Sequence, residues 1–396
     1  MQDRWLGVPV YVIGFFSLSM EPIFGLLIPL WALKLEVSVP LVGLIVGGSG
    51  FLPAILSIPM GGVADRIGAR SLLLWAGAGT ALCTALYPFW ENPWGLFVLH
   101  VIVGLLMALV WISSQAYVAK AGTDEMRPWL MGHFSSATTL GAFAGPLVMG
   151  YLLDAWGFTV AFFGASLWVL MVTLMASLLP EAGKRSPLAW SDLRPRLRDF
   201  QQAAFLCTIP AILFVILCTF LRLSVFAIRS SYYPVYLRGV DFSAFTIGFL
   251  SAISNFVSSF SALAIAPLTR RIEQARLLLL GLALASVSLA LTPAFNTFVP
   301  LLILTALSGA GIGATLPLLL SILANATGSE VRGLAVGLRT GTNRLSFAVV
   351  PIFLGFITQQ AGLAAGFYLI GFLQVVMVGG LFLYVGAFLL NYRERM

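Results

Sequence analysis

Along this chain, apolar residues run uninterrupted for twenty or so positions at a time, and polar residues cluster in short breaks between the runs. Twelve such runs occur, at about 8–33, 39–63, 71–89, 94–118, 129–153, 158–179, 206–236, 244–268, 276–294, 297–323, 333–358 and 364–390. A bilayer core about 30 Å thick takes about 20 residues of helix per crossing. Unpaired backbone groups are too costly in lipid for an open extended form. The pattern therefore predicts an all-α membrane protein of twelve transmembrane helices. The first run lacks a small-residue cleavage site and is followed at once by the second, so it is expected to be retained.

Composition sharpens this picture. The 396 residues are 60% hydrophobic and 9% charged, which excludes an ordinary water-soluble fold. The net charge of +7 would suit a nucleic-acid binder if it were gathered on one surface patch. Instead, sixteen of the 22 basic residues fall in the loops and termini on one side of the predicted topology, and only Lys34 and Arg238 on the other. This positive-inside asymmetry predicts that both termini are cytoplasmic and that no nucleic acid is bound. Cys83, Cys207 and Cys218 all lie inside runs and read as packing residues.

The chain also repeats itself. A shift of 205 positions places Pro29 on Pro234, Gly43 on Gly248, Arg66 on Arg271, Gly104 on Gly309, Arg127 on Arg332 and Pro146 on Pro351. Helix-breaking and helix-packing residues recurring at one offset predict two parallel six-helix units, a 6+6 arrangement with pseudo-symmetric bundles. The expected boundaries are 1–180 for the N-terminal bundle, 181–205 for a charged interdomain loop, and 206–396 for the C-terminal bundle. A monomer is expected.

Two segments carry motifs. After the second run stands Gly61-Gly-Val-Ala-Asp65-Arg66-Ile-Gly68-Ala-Arg70, and in the fifth run Gly141-Ala-Phe-Ala-Gly145-Pro146-Leu-Val-Met-Gly150. The first resembles the loop signature of the major facilitator superfamily, departing from it at Ala69, where a basic residue is common. The second half keeps a degenerate copy in which Arg270 occupies the aspartate position. The second segment resembles that family's antiporter motif, with Met149 replacing a glycine. Together with helix count and repeat, the resemblance implies a secondary carrier of a bacterial inner (plasma) membrane. It implies a gate at Asp65, Arg66 and Arg70, and the antiporter motif implies export. Gly145 and Pro146 are candidates for a helix kink, because proline removes a backbone hydrogen bond and glycine allows close approach. In Leu99-His100-Val-Ile-Val-Gly104, His100 stands where a similar family motif has arginine; it is either a proton carrier or a buried polar residue.

Ionisable residues at membrane depth are expensive and point to function. Arg222 and Arg229 in the seventh run, and Arg339 and Arg344 in the eleventh, are embedded against one embedded acid, Glu21. This excess, with Asn343 and Tyr232 nearby in sequence, marks a candidate site for an anionic small molecule. Pro22 frees the Leu18 carbonyl beside Glu21, so Glu21, with His100, is the candidate for proton coupling. The alternative to anion export is proton-coupled export of lipophilic drugs, for which 30 Phe and 11 Met supply an adaptable apolar lining. No phosphate-binding G-x-x-x-x-G-K-[ST] loop, clustered metal ligands or nucleophile–base pair occurs in the sequence, so no ATP, cofactor, metal or enzymatic role is expected.

Overall fold

Each predicted run becomes a helix, because in a span without water only i to i−4 pairing satisfies the backbone. The computed structural model describes residues 7–121, 126–180, 205–327 and 332–386, with side chains at all of these except 57–66 and 332–333. In the first bundle, α1 (Gly7–Leu18) and α2 (Met20–Lys34) form one crossing, followed by α3 (Val39–Ile67), α4 (Ala69–Leu86), α5 (Pro93–Lys120) and α6 (Arg127–Leu178). The second holds α7 (Pro210–Gly239), α8 (Ala244–Leu263), the short α9 (Ile265–Leu268), α10 (Gln274–Ala290), α11 (Phe298–Ala326), α12 (Arg332–Ala361) and α13 (Leu363–Tyr384).

At 1.5 Å per residue, the 52 residues of α6 would reach roughly 80 Å, more than two bilayer cores. The helix breaks at Gly157, where φ is 80° and ψ −179°, so α6 is two crossings and the described helices make twelve. Its repeat mate Gly362, at φ 84°, separates α12 from α13 in the same way. With ψ near 180° at both, this positive-φ region is open essentially to glycine alone, so glycine recurs at both reversals.

The repeat is written into the contacts as well. A Cβ on Gly43 would lie 2.2 Å from the Pro351 carbonyl oxygen, and one on its mate Gly248 would lie 2.3 Å from that of Pro146. One on Gly355 would lie 2.7 Å from Cα of Pro40, and one on Gly150 would lie 2.9 Å from Cα of Phe245. Each pair is the image of the other under the 205-residue shift. Glycine is thus required where α3 meets α12 and where α6 meets α8, the two principal seams between the bundles. Within the bundles, Gly104 packs on the Ser49 backbone as Gly309 packs on that of Ser254. Gly309, Gly311 and Gly313 all serve such helix contacts.

Polar contacts join the seams beside the 35–38 and 240–243 loops. There Asp154 of α6 accepts hydrogen bonds from the first two amides of α8, Ala244 N to Oδ1 at 2.9 Å and Phe245 N to Oδ2 at 2.7 Å. A carboxylate of one bundle therefore caps a helix of the other, where the helix dipole favours negative charge. Across the other seam, the Tyr232 hydroxyl lies 2.9 Å from the Val39 carbonyl oxygen and 3.1 Å from that of Pro351, bridging α3 and α12. An exposed carboxylate at a helix N-terminus contributes about 0.3–1 kcal/mol. Asp154→Ala is accordingly expected to lower the closed-to-open ratio on this side by up to about five-fold. Electron–electron distance measurements between spin labels in the 90–92 and 295–297 loops would show a new long-distance component; an unchanged distribution would deny the latch.

Candidate functional site

Pro22 cannot donate to the Leu18 carbonyl, and the first crossing lapses there: α1 ends at Leu18 and α2 starts at Met20. Trp168 Nε1 donates to Ser19 Oγ at 2.7 Å and fixes the lapse from the second limb of α6. Glu21, half-buried in the first turn of α2, lines a cavity of about 80 Å³ together with His100 of α5 and Arg344 of α12. The apolar part of this wall includes Phe24, Met107, Trp111 and Phe347. His100 is 3% exposed, and its Nδ1 lies 2.8 Å from the Tyr87 hydroxyl. Three residues distant in sequence, Glu21, His100 and Arg344, thus share one chamber.

A second cavity, of about 100 Å³, belongs mainly to the other bundle. Arg222 and Arg229, two turns apart on one face of α7, look into it, and α8 lines it with Ser251, Ser254, Asn255 and Ser258. The spacing i, i+3, i+4, i+7 makes those four a polar stripe along α8. The Arg222 Nε donates to Thr315 Oγ1 at 2.9 Å, and the Arg229 Nη1 donates to Ser254 Oγ. The Arg229 guanidinium also lies 5.8 Å from the centre of the Tyr233 ring, whose hydroxyl pairs with Thr305 Oγ1 at 2.5 Å. Each guanidinium has five N–H donors. Among the described residues none of the four embedded arginines, nor Glu21, enters an ion pair. Neutral hydroxyls solvate the positive charge, and among the described residues no carboxylate comes within ion-pair distance of it, although Glu21 lies close enough to Arg222 to act on it through space.

The two chambers are repeat images. The 205-residue shift carries Ser17 to Arg222, Glu21 to Phe226, Phe24 to Arg229 and Val46 to Ser251, and each of these lines its own chamber. Gly25 and Ser230 are themselves mates, and both line both chambers. A methyl on Gly25 would lie 3.1 Å from Ser230 Cβ, so these two form the partition.

The remaining candidate residues are placed as follows. Arg339 Nε and Asn343 Oδ1, one turn apart on α12, are buried without a hydrogen-bond partner. Tyr232, expected among the cargo contacts, is wholly buried in the α3–α12 seam, because its hydroxyl satisfies backbone carbonyls there. Arg70 donates to the Ala176 and Ser177 carbonyls at 3.2 and 2.9 Å, capping the end of α6 inside its own bundle. The side chains of Asp65 and Arg66 lie outside the described residues. Backbone angles stay helical through Gly145 and Pro146; a Cβ on Gly145 would lie 2.9 Å from Ile23, and the chain reverses only at Gly157. The serine stripe of α8 and Asp154 belong to no motif. Their sequence signals are a helical polar period and an acid at the end of an apolar run.

Two six-helix bundles meeting at glycine seams around buried, polar, repeat-related chambers define a membrane carrier. The Major Facilitator Superfamily model matches residues 10–272 and 215–394, and the chain belongs to that superfamily: it is a transporter, not an enzyme. The chain is similar to proteins named "Multidrug resistance protein MdtG". One from Klebsiella pneumoniae (strain 342) is 27% identical over 298 residues, covering 74% of this chain and 70% of the relative. One from Proteus mirabilis (strain HI4320) is 25% identical over 332 residues, covering 80% and 79%. Among solved structures, the nucleoside transporter NupG superimposes with a TM-score of 0.82 at 13% identity, covering 96% of this chain and 99% of its own. A bacterial homolog of the human lysosomal transporter Spinster superimposes with a TM-score of 0.78 at 14% identity, covering 98% of each chain.

Removing a buried guanidinium's acceptor leaves a desolvated donor, at a cost of about 1.5–3 kcal/mol for a charged hydrogen bond. Thr315→Val is therefore expected to lower the unfolding midpoint of the detergent-solubilised protein, and Thr315→Ser to restore it. Equal midpoints for the wild type and Thr315→Val would mean that Arg222 is satisfied elsewhere.

Proposed function

We propose that this carrier exports lipophilic small molecules across the plasma (inner) membrane by alternating access, driven by proton antiport. The observation that carries the reading is the chamber in which Glu21 and His100 face Phe24, Met107, Trp111 and Phe347, an acid beside an adaptable apolar wall. The drug-resistance names of the similar proteins support it. Both termini are cytoplasmic in this reading, the protein is a monomer, and the side sealed by Asp154 and Tyr232 faces outward.

In this cycle Glu21 alternates between two states. Its carboxyl is the proton-carrying group of this reading, and Arg344 lines the same chamber. Each protonation change alters the net charge of the chamber by one, and cargo and proton compete for the neutralising position. Asp65 and Arg66 form the opposite gate.

A second reading, that the cargo is anionic, is favoured by the arginines of α7 and α12, for which the described residues offer no acid partner. Both readings share Glu21. In proteoliposomes, Glu21→Gln is expected to reduce pH-gradient-driven transport of a lipophilic dye to background while leaving dye-for-dye exchange intact. Transport by Glu21→Gln that still follows the pH gradient would remove Glu21 from the coupling step.

A further inference from the structure

The chambers differ in a way that a symmetric fold does not require. Under the repeat, the first presents Ser17, Glu21, Phe24 and Val46 where the second presents Arg222, Phe226, Arg229 and Ser251. The same place in the fold is therefore acidic and aromatic on one side and cationic and hydroxyl-lined on the other. Only Gly25 and Ser230, small residues in contact on the local symmetry axis, divide them.

The second chamber holds two guanidiniums whose only hydrogen bonds among the described residues go to Thr315 and Ser254. Two planar forks presenting spare N–H groups beside a serine stripe match an oxyanion, which accepts several charge-assisted hydrogen bonds at once. The first chamber has a single guanidinium, Arg344, which shares it with Glu21, and it has an indole, two phenyl rings and a thioether that suit a hydrocarbon chain. A single molecule with an oxyanion head and an apolar tail would satisfy both chambers once the bundles part at Gly25 and Ser230, which touch in this state.

We propose that the two chambers form one bipartite site for amphipathic organic anions, with the head group on Arg222 and Arg229 and the tail among Phe24, Met107, Trp111 and Phe347. This rests on the export reading and names a substrate class within it. Gly25 is the specificity-determining residue: it lines both chambers, and a larger side chain pressed on Ser230 would keep the chambers apart when the bundles move.

The test uses the full chain in phosphatidylcholine nanodiscs, titrated calorimetrically with hexylphosphonate, methylphosphonate and the neutral diethyl ester of hexylphosphonate. Hexylphosphonate is expected to bind at least ten-fold more tightly than either of the others. In Gly25→Val the hexyl compound loses at least ten-fold more affinity than methylphosphonate does. In Arg229→Gln the preference for anion over ester disappears, and Arg229→Lys, which keeps the charge, retains part of it; thermal unfolding checks that each variant is folded. Adding phosphatidylglycerol to the discs leaves the affinity for hexylphosphonate unchanged if the head group comes from soluble cargo, whereas competition would assign the chamber to lipid and overturn the proposal. Equal binding of ester and anion, or a Gly25→Val effect that is the same for long and short compounds, would also overturn it. Extrusion of a lipophilic cationic dye by everted membrane vesicles is measured alongside. Dye extrusion without anion preference leaves the export reading standing and removes only the bipartite site.

Discussion

A guanidinium placed at the depth of a bilayer loses most of its hydration, and the cost is tolerable only if other dipoles or a counter-charge replace the water. Here the hydrogen-bond partners of Arg222 and Arg229 among the described residues are hydroxyl oxygens, Thr315 Oγ1 and Ser254 Oγ. Hydroxyl dipoles solvate the charge without cancelling it. A permanent carboxylate partner would produce an inert internal pair. Hydroxyls instead leave a positive potential in the chamber, where a mobile negative group gains energy on entry. The polar face of α8 and the partition at Gly25 take their meaning from that uncancelled charge.

The second constraint is backbone proximity. Bundles that rock against one another need interfaces close enough to exclude water yet free of interlocked side chains. Glycine against a carbonyl oxygen meets both conditions, as at Gly43 with Pro351 and Gly248 with Pro146. Such smooth seams hold by packing and a few polar contacts, each worth about a kcal/mol or less. The Asp154 carboxylate on α8 and the Tyr232 hydroxyl across α3 and α12 are contacts of that size. A chamber sealed by such weak bonds can open when cargo or a proton shifts the balance by comparable amounts.

Much of this architecture is legible in the bare sequence because the bilayer simplifies the code. Twelve apolar runs map onto twelve crossings, with ends mostly within a few residues, and the 205-residue repeat foretells even the pairing of individual glycines. The break beside Glu21 follows from Pro22. What is not legible concerns direction. Periodicity places Tyr232 on the same helix as the arginines but does not say that its hydroxyl turns to backbone carbonyls in the seam. The serines of α8 are ordinary residues of an apolar helix until α7 brings Arg222 and Arg229 opposite them. Arg70, grouped with the gate by its motif, also donates to the carbonyls that end α6, which its motif does not foretell. Asp154 escapes attention because a carboxylate near a loop resembles a solvated end until the amides of another bundle come within 2.9 Å.

The central claim is spatial: the uncancelled charge of the C-terminal chamber holds the head of a cargo whose tail lies in the N-terminal chamber. It is tested most directly by determining the structure of the carrier with a 6-bromohexylphosphonate bound, locating bromine by its anomalous scattering. The account predicts phosphonate density between Arg222 and Arg229 and a bromine peak beside Trp111 and Phe347, with the chain running past Gly25. Bromine among the α8 serines, or a phosphonate seated at Glu21 and away from both arginines, would contradict it.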